Sequence, residues 1–508
     1  MDKKNYERVS ISLFHNLFSQ LKFARAFIGR NDHLEKQDER KPTAILVLKT
    51  PRLWNWMELF KRGFSENGFN VEFVEIDNKG KYVERVLKLI KAHYPCLLIT
   101  INRYAFDHYH CSIALEEVLR ENGIPYMSFV LDHLDYFYWE AEPRFLDNYS
   151  KYKLVTYDRF FQENYSFGHK PFVLNSFFSY YINNKARKNY RYDICISNRP
   201  REENMHIFPE QEIIYKKILQ IPVDSTIPVS SRLHILLWKL TNRIDDIHRP
   251  NINRHIVLNA IRCFKMGFDS FFRRDVAQFL CNSYENVAVF GKNEWKRFIP
   301  TKNYKGMVTY KEMLEIYSKS RVIVDSFLSW SDTTVHDYIS LSQGGFTIFH
   351  KPAICYDNIA TKSFEYFSTL EELDQKISFF LSNEEKRLQK LEEIQGTIDN
   401  FFSFDDYFGR ATALCSDLLR SDTSHTSESR IDDFNEFGIS VGKCTLSLFK
   451  TDEEQFLINF MAAVVYFYSG YIDIAAECLN TAKQLQSSPD RELDIFERKI
   501  KPYCPHLS

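Results

Sequence analysis

Val287-Ala-Val-Phe-Gly291-Lys-Asn-Glu-Trp295, then Asn303-Tyr-Lys-Gly306-Met-Val-Thr-Tyr310, Arg321-Val-Ile-Val-Asp-Ser326 and Ser331-Asp-Thr-Thr334-Val-His336-Asp337 running into Gln343-Gly-Gly345, form the stretch that decides the fold. A short apolar run ends in a glycine, where a ligand can approach backbone without meeting a Cβ. A turn and an amphipathic segment follow, and then a second apolar run, Arg321–Ser326. Next comes a predicted helix whose first residues, Asp332, Thr333 and Thr334, are all capping types. Its free N–H groups and positive dipole end suit a diphosphate. Gly344-Gly345 is predicted to end that helix and turn the chain tightly into the strand Phe346–Phe349.

The same alternation of short apolar runs and longer amphipathic ones extends outward in both directions, which is the pattern of βαβ units in a parallel sheet. Upstream, Tyr192–Ser197 starts the second set, and a mostly helical insertion separates it from Val287–Phe290. Further upstream, Ala44–Lys49, Asn70–Ile76, Cys96–Ile101, Tyr126–Leu131, Leu154–Tyr157 and Phe172–Leu174 predict strands of a first set, with helices such as Trp54–Asn67 and Val83–His93 between them. The fold class is therefore α/β, with two Rossmann-like domains. A chain of 508 residues has the length for about three units of ordinary size.

The expected domain boundaries are a helical extension over 1–40, a first Rossmann-like domain over 41–185 and a second over 186–420, the last carrying the insertion and a terminal crossover helix. A Ser-, Thr- and Asp-rich linker over 421–435 leads to a helical tail over 436–508. Within the tail, Phe460–Gln486 has the order of one tetratricopeptide helix pair. A single such pair has no stacked neighbour, so it either docks on the body or contacts a protein.

A formal net charge of −1 gives no long-range field toward nucleic acid or an anionic bilayer. The ten dispersed cysteines include no Cys-x-x-Cys, and no apolar stretch is long enough to span a membrane or lead secretion. The expected compartment is the cytoplasm. A G-x-G-x-x-G fingerprint and a Walker A loop are both missing from the sequence, which disfavours dinucleotide oxidoreductases and P-loop ATPases.

The segments around Gly291/Trp295, Tyr304/Gly306/Val308 and Gly344 resemble, in order and rough spacing, the C-terminal half of glycosyltransferases of the group-one and CgeB-like spore-maturation kind. The resemblance covers about 192–419, and the first half matches by architecture alone. It implies a GT-B arrangement, two Rossmann-like domains facing each other across a cleft, and transfer of a sugar from a nucleotide sugar, with UDP the first choice of nucleotide. The family carries an Arg and then a ribose-binding Glu in the helix before the glycine, whereas this chain has His336-Asp337-Tyr-Ile-Ser340 there. His336 is either a donor contact or an ordinary helix histidine.

The donor set expected on this reading is Arg199, Arg201, Gly291, Trp295, Tyr310, Ser331, Thr333, Thr334, His336 and Asp337, with Lys292, Lys296 and Arg297 as further cations. Arginine suits phosphate through its fork of donors. The acceptor base is expected in Asp132-His133-Leu-Asp135, which follows the apolar run Ser128–Leu131. A loop-capping network is the alternative there, since Asp often closes turns. Asp107-His108-Tyr-His110 has His-x-His spacing, but on a helix those rings diverge, so no metal is expected. No cofactor is expected beyond the nucleotide sugar as co-substrate. The acceptor is a protein, a glycan (cell-surface glycan included) or a lipid. A catalytically silent scaffold that binds partners through the tail is the reading from a different class.

Overall fold

The computed structural model describes residues 41–48, 54–76, 81–101, 119, 122–130, 151–156, 165–166, 172–173, 189–196, 208–224, 227–246, 252, 254–328, 340–353, 362–401, 403–420, 440–441, 448–486 and 490–504. The predicted N-terminal helix and the predicted linker both lie outside these residues. The chain divides into two compact units, residues 1–180 with 402–441 and residues 181–401 with 442–508.

In the first unit the described chain alternates β1 (Thr43–Leu48), α1 (Trp54–Glu66), β2 (Asn70–Glu75), α2 (Lys81–His93) and β3 (Cys96–Ile101). Strands β4 (Tyr126–Val130), β5 (Tyr152–Thr156), β6 (Tyr165–Ser166) and β7 (Phe172–Val173) follow. Six of these strands form one parallel sheet in the order β2-β1-β3-β4-β5-β7. β3 and β4 are buried at every residue, so their apolar runs show none of the alternation of a half-solvated strand.

The second unit starts with β8 (Tyr192–Ile196) and continues into the helical insertion, α3 (Pro209–Gln220), α4 (Val229–Asp246) and α5 (Arg254–Ser283). Then come β9 (Val287–Phe290), β10 (Tyr304–Gly306), α6 (Tyr310–Ser318), β11 (Ser320–Asp325), β12 (Thr347–His350), β13 (Glu365–Phe367), α7 (Leu370–Ser382) and α8 (Glu384–Phe401). Its parallel sheet has the order β10-β9-β8-β11-β12-β13. Chain direction along the sheet reverses between β8 and β11, the topological switch point, beside which parallel sheets of this kind bind ligands beyond their carboxyl ends.

The helical stretch from Glu384 to Leu419, whose sequence predicts a break near Phe401–Asp406, is two helices, α8 and α9 (Phe404–Arg420), that meet at that break. α9 belongs to the first unit, where Phe408 meets Phe60 and Phe64 edge-on at ring-centroid distances of 5.3 and 5.9 Å. A Cβ on Gly63 would lie 2.2 Å from the Phe408 ring, so only glycine lets α9 pack this closely on α1. β14 (Ser440–Val441) pairs with β6 in the same unit.

The tail helices α10 (Thr451–Tyr468), α11 (Ile472–Gln484) and α12 (Arg491–Ile500) belong to the second unit. α10 is buried on nearly every face from Leu457 to Tyr466, since it lies between α11 and the insertion helices. Partly buried polar pairs fix the dock. Lys239 on α4 binds Glu454 at 2.6 Å, and Lys217 on α3 binds Asp490. Phe208 stacks on Tyr468 at 4.1 Å, and the Tyr468 hydroxyl donates to Glu210 at 2.9 Å. The insertion and the tail thus form one helical layer on the second unit, and no described helix is long and apolar enough to cross a membrane.

Candidate functional site

The glycine-terminated strands of the second unit make tight returns. Gly291 leaves β9 with φ +149°, and Gly306 ends β10 with φ +89°, both on the positive side that glycine alone adopts without strain. The Gly291 N–H donates to the Gly306 carbonyl at 3.0 Å. Tyr304 locks the same loop from outside, its hydroxyl donating to the Gly291 carbonyl at 3.1 Å and to Asn293 Oδ1 at 3.0 Å. The Lys296 ammonium lies 5.4 Å from the Tyr304 ring centroid, within cation–π range.

Trp295, expected among the donor contacts, sits in the short 3-10 helix Asn293–Arg297 with its indole fully buried. In this position it anchors the β9–β10 connection. Tyr310 opens α6 directly after a reciprocal capping box, in which Thr309 Oγ1 accepts from the Glu312 N–H and Glu312 accepts from the Thr309 N–H. The Tyr310 side chain is not among those described. The Asp132, His133, Arg199, Arg201, Ser331, Thr333, Thr334, His336 and Asp337 of the sequence reading lie outside the described residues, as do Asp107, His108 and His110. The structure therefore brings together the β9 and β10 exits from the predicted set.

The predicted stop at Gly344-Gly345 is present. Gly344 has φ +76°, and the Gly344 and Gly345 N–H groups both return to the preceding turn, at Leu341 and Ser340. A Cβ on Gly345 would fall 2.3 Å from Ile323 Cδ1, so glycine also gives β11 its close approach.

A second, unpredicted group of polar side chains gathers at the carboxyl end of the same sheet. α5 carries Lys265, Asp269 and Arg273 at four-residue intervals, on one face with Phe272, and all three charged residues are almost fully buried. Asp269 Oδ1 accepts the Leu328 N–H at 3.0 Å just past β11, and Asp269 Oδ2 accepts from Arg273 at 3.4 Å. The Arg273 guanidinium lies 5.0 Å from the Phe327 ring centroid. Asp325 caps the same exit, accepting the Phe327 N–H at 2.9 Å.

α4 holds the neighbouring exit. Ser230 and Ser231 donate to the Lys351 and Ala353 carbonyls at 2.6 and 2.8 Å, fixing the chain as it leaves β12. His350, the last residue of β12, is buried edge-on between Phe272 and Phe367, at centroid distances of 4.5 and 5.2 Å. Neither of its ring nitrogens has a hydrogen-bond partner among the described residues. Burial, with His234 nearby, pushes its pKa down to about 3, so it is a neutral imidazole at any physiological pH. Burial likewise pushes Lys265 down to about 7, opposed by Asp269 and helped by Arg273.

The sequence signal for the α5 group is its spacing, but Lys265, Asp269 and Arg273 at i, i+4 and i+8 equally describe a solvated, salt-bridged helix face. Only the packing of α5 distinguishes the two.

No family model matches the chain, and no curated protein matches it either. Among solved structures, it is similar to a glycosyltransferase from Rickettsia africae ESF-5, at 11% identity and a TM-score of 0.40 over 75% of this chain and 99% of that one. It is also similar to Anabaena Alr3699/HepE, solved in complex with UDP, at 8% identity and a TM-score of 0.39 over 74% of this chain and 100% of that one. TarM gives 11% identity and a TM-score of 0.38 over 68% of this chain and 59% of that one.

Proposed function

We propose that this protein is a metal-independent glycosyltransferase of the GT-B kind, moving a hexose from a nucleotide diphosphate sugar, UDP-sugar first, to a protein, glycan or lipid acceptor. The observation that carries the reading is the pair of parallel α/β sheets in one chain, each with a topological switch point of its own. One sheet can take the donor and the other the acceptor. The second sheet suits the donor. Its β9 and β10 exits are half-buried glycine returns, and its β11 exit is built on buried polar side chains.

On this reading Arg199, Arg201 and the helix-capping residues Ser331, Thr333 and Thr334 neutralise charge that grows on the leaving diphosphate. Asp132 or His133, two and three residues past β4, takes the proton from the acceptor hydroxyl as it attacks the anomeric carbon. Fold alone does not fix an activity, so binding is the first test. A nucleotide-sugar panel read by thermal shift should include at least one UDP-sugar that raises the melting temperature, because a ligand at about 100 times its dissociation constant adds about 2.7 kcal/mol to stability. The same donor should be hydrolysed slowly without acceptor. If no nucleotide sugar shifts the transition, the donor reading is lost and the silent-scaffold reading takes its place.

A further inference from the structure

In α4 every residue from Ser230 to Trp238 is buried, and Leu240 and Thr241 continue the run. Such a run passes through more than two helical turns, so no face of this part of α4 meets solvent. A helix that is apolar and buried all round has to be covered all round. Its principal helical neighbours among the described residues are α3 and α5 of the insertion and α10 of the tail, with α10 in the most extensive contact. The insertion therefore does not enclose its own central helix, and the tail completes the cover.

Polar contacts tie the two ends of the same run to different partners. Toward the carboxyl end, Lys239 binds Glu454 of α10 at 2.6 Å, and both side chains are largely withdrawn from water. At the amino end, Ser230 and Ser231 donate to the Lys351 and Ala353 carbonyls, and His234, one turn further along, acts on His350 at the end of β12. Lys351 is joined in turn to β13, its N–H donating to the Phe367 carbonyl at 2.9 Å. Ser230 and Lys239 lie about 13.5 Å apart along the axis, at about 1.5 Å per residue, on one uninterrupted helix. A packed helix with hydrogen bonds at one end and an ion pair toward the other is a physical route for coupling.

We infer that the tail is a positioning element of the second unit: α10 holds α4 in place, and α4 sets the chain that leaves β12 at the carboxyl edge of the sheet. Ligands of parallel sheets bind beyond that edge, so the tail acts on the end of the fold where a site would be. The inference does not depend on the donor reading. It gives the docked helices a task in the body of the protein.

The test is hydrogen exchange of the full chain, read by mass spectrometry in peptides covering residues 347–351, α10 and β9. β9 is the internal control, since β8 and β11 separate it from β12. Glu454→Lys sets two like charges against each other in a largely buried place, and it should speed exchange over 347–351 at least about 10-fold while β9 keeps its protection. Adding Lys239→Glu restores opposite charges and should return 347–351 close to the wild-type rate. Ser230→Ala with Ser231→Ala cuts the other end of the route, and it should free 347–351 by about 10-fold while α10 stays protected. If Glu454→Lys does not fold, Glu454→Gln and the serine variant carry the same expectations. Wild-type exchange over 347–351 in the serine variant, or in a Glu454 variant whose α10 is freed, overturns the inference. So does equal loss in β9 and β12, because the tail would then stabilise the unit as a whole without positioning this exit.

Discussion

The two units close their parallel sheets in opposite ways. In the first, α1 and α9 cover the sheet with rings, Phe60, Phe64, Phe129 and Phe408 meeting edge to face in a contiguous apolar cluster. In the second, α5 lays charged residues against the carboxyl end of the sheet, and a neutral histidine is buried at the end of β12. Burying rings is favourable wherever it occurs. Burying ionisable groups costs free energy unless they are paired and hydrogen-bonded. The described interior of the first unit is thus apolar, whereas the second gives up stability at one end of its sheet by burying ionisable groups there.

Removing a ring should break the first interior most severely. Phe408→Ala deletes the ring on which α1 and α9 meet, and a buried Phe→Ala change costs about 3–5 kcal/mol. Hydrogen exchange should speed up throughout β3 in the first unit while β9 in the second keeps its protection. Equal loss in both strands would mean that the units do not unfold separately.

In the second interior, pH should do what a cavity does in the first. His350 has a folded pKa of about 3 against an ordinary value of 6.5, so between these values the unfolded chain holds the extra proton. Stability is complete above about 6.5 and falls as the pH drops, by about 1.4 kcal/mol per unit, or about 3 kcal/mol on reaching pH 4.5. His350→Phe, which suits a site between Phe272 and Phe367, should flatten this part of the acid limb in denaturant titrations. A limb as steep in the variant as in wild type would show that other groups set it.

Lys265 is, like His350, a base that is cationic when protonated, and it has the same sign of slope. Its folded pKa of about 7 lies below the ordinary 10.5, so in that window the unfolded chain again binds more protons and stability rises with pH. Between pH 7 and 8.5 the gain should be about 2 kcal/mol. Lys265→Met should be more stable than wild type, most of all at pH 6, with the margin shrinking toward pH 9. A variant less stable than wild type at pH 6 would mean that the ammonium is well compensated where it lies.

The same contrast explains what the sequence revealed. Cys96–Ile101 and Val287–Phe290 are strands with the predicted bounds, and the other expected strands differ at their ends by a residue or two, because continuous apolar runs mark strands buried on both faces. β10 and β13 have three residues each, too few for any period to show, and β10 was legible only as a turn around Gly306. Glycines could be read because a tight return needs them. Trp295, named through the family resemblance, has its indole in the interior, a placement that only the packing shows. The α5 face was invisible for the reason given by its spacing: burial, and not pattern, separates a buried polar face from a solvated stripe.

The smallest effect belongs to a position that shares neither interior. Thr309 caps α6 on the surface of the second unit, its Oγ1 accepting the Glu312 N–H at 3.3 Å while the Glu312 carboxylate accepts the Thr309 N–H at 2.6 Å. Those bonds hold the Glu312 carboxyl below its ordinary pKa. A lowered carboxyl pKa gives stability that is present above the ordinary value of 4.5 and is lost as the pH falls through the folded one. Thr309→Ala should cost about 0.5–2 kcal/mol at pH 7, the usual range for losing a threonine cap. The loss should shrink on acidification, because protonated Glu312 no longer closes the box. His350 makes wild type less stable over that same range, so the two groups separate by comparison of slopes: Thr309→Ala should keep the His350 acid limb, and His350→Phe should keep the cap's smaller one. A Thr309→Ala loss as large as that of Phe408→Ala would mean that the first turn of α6 supports much more of the second unit than its exposed capping bonds suggest.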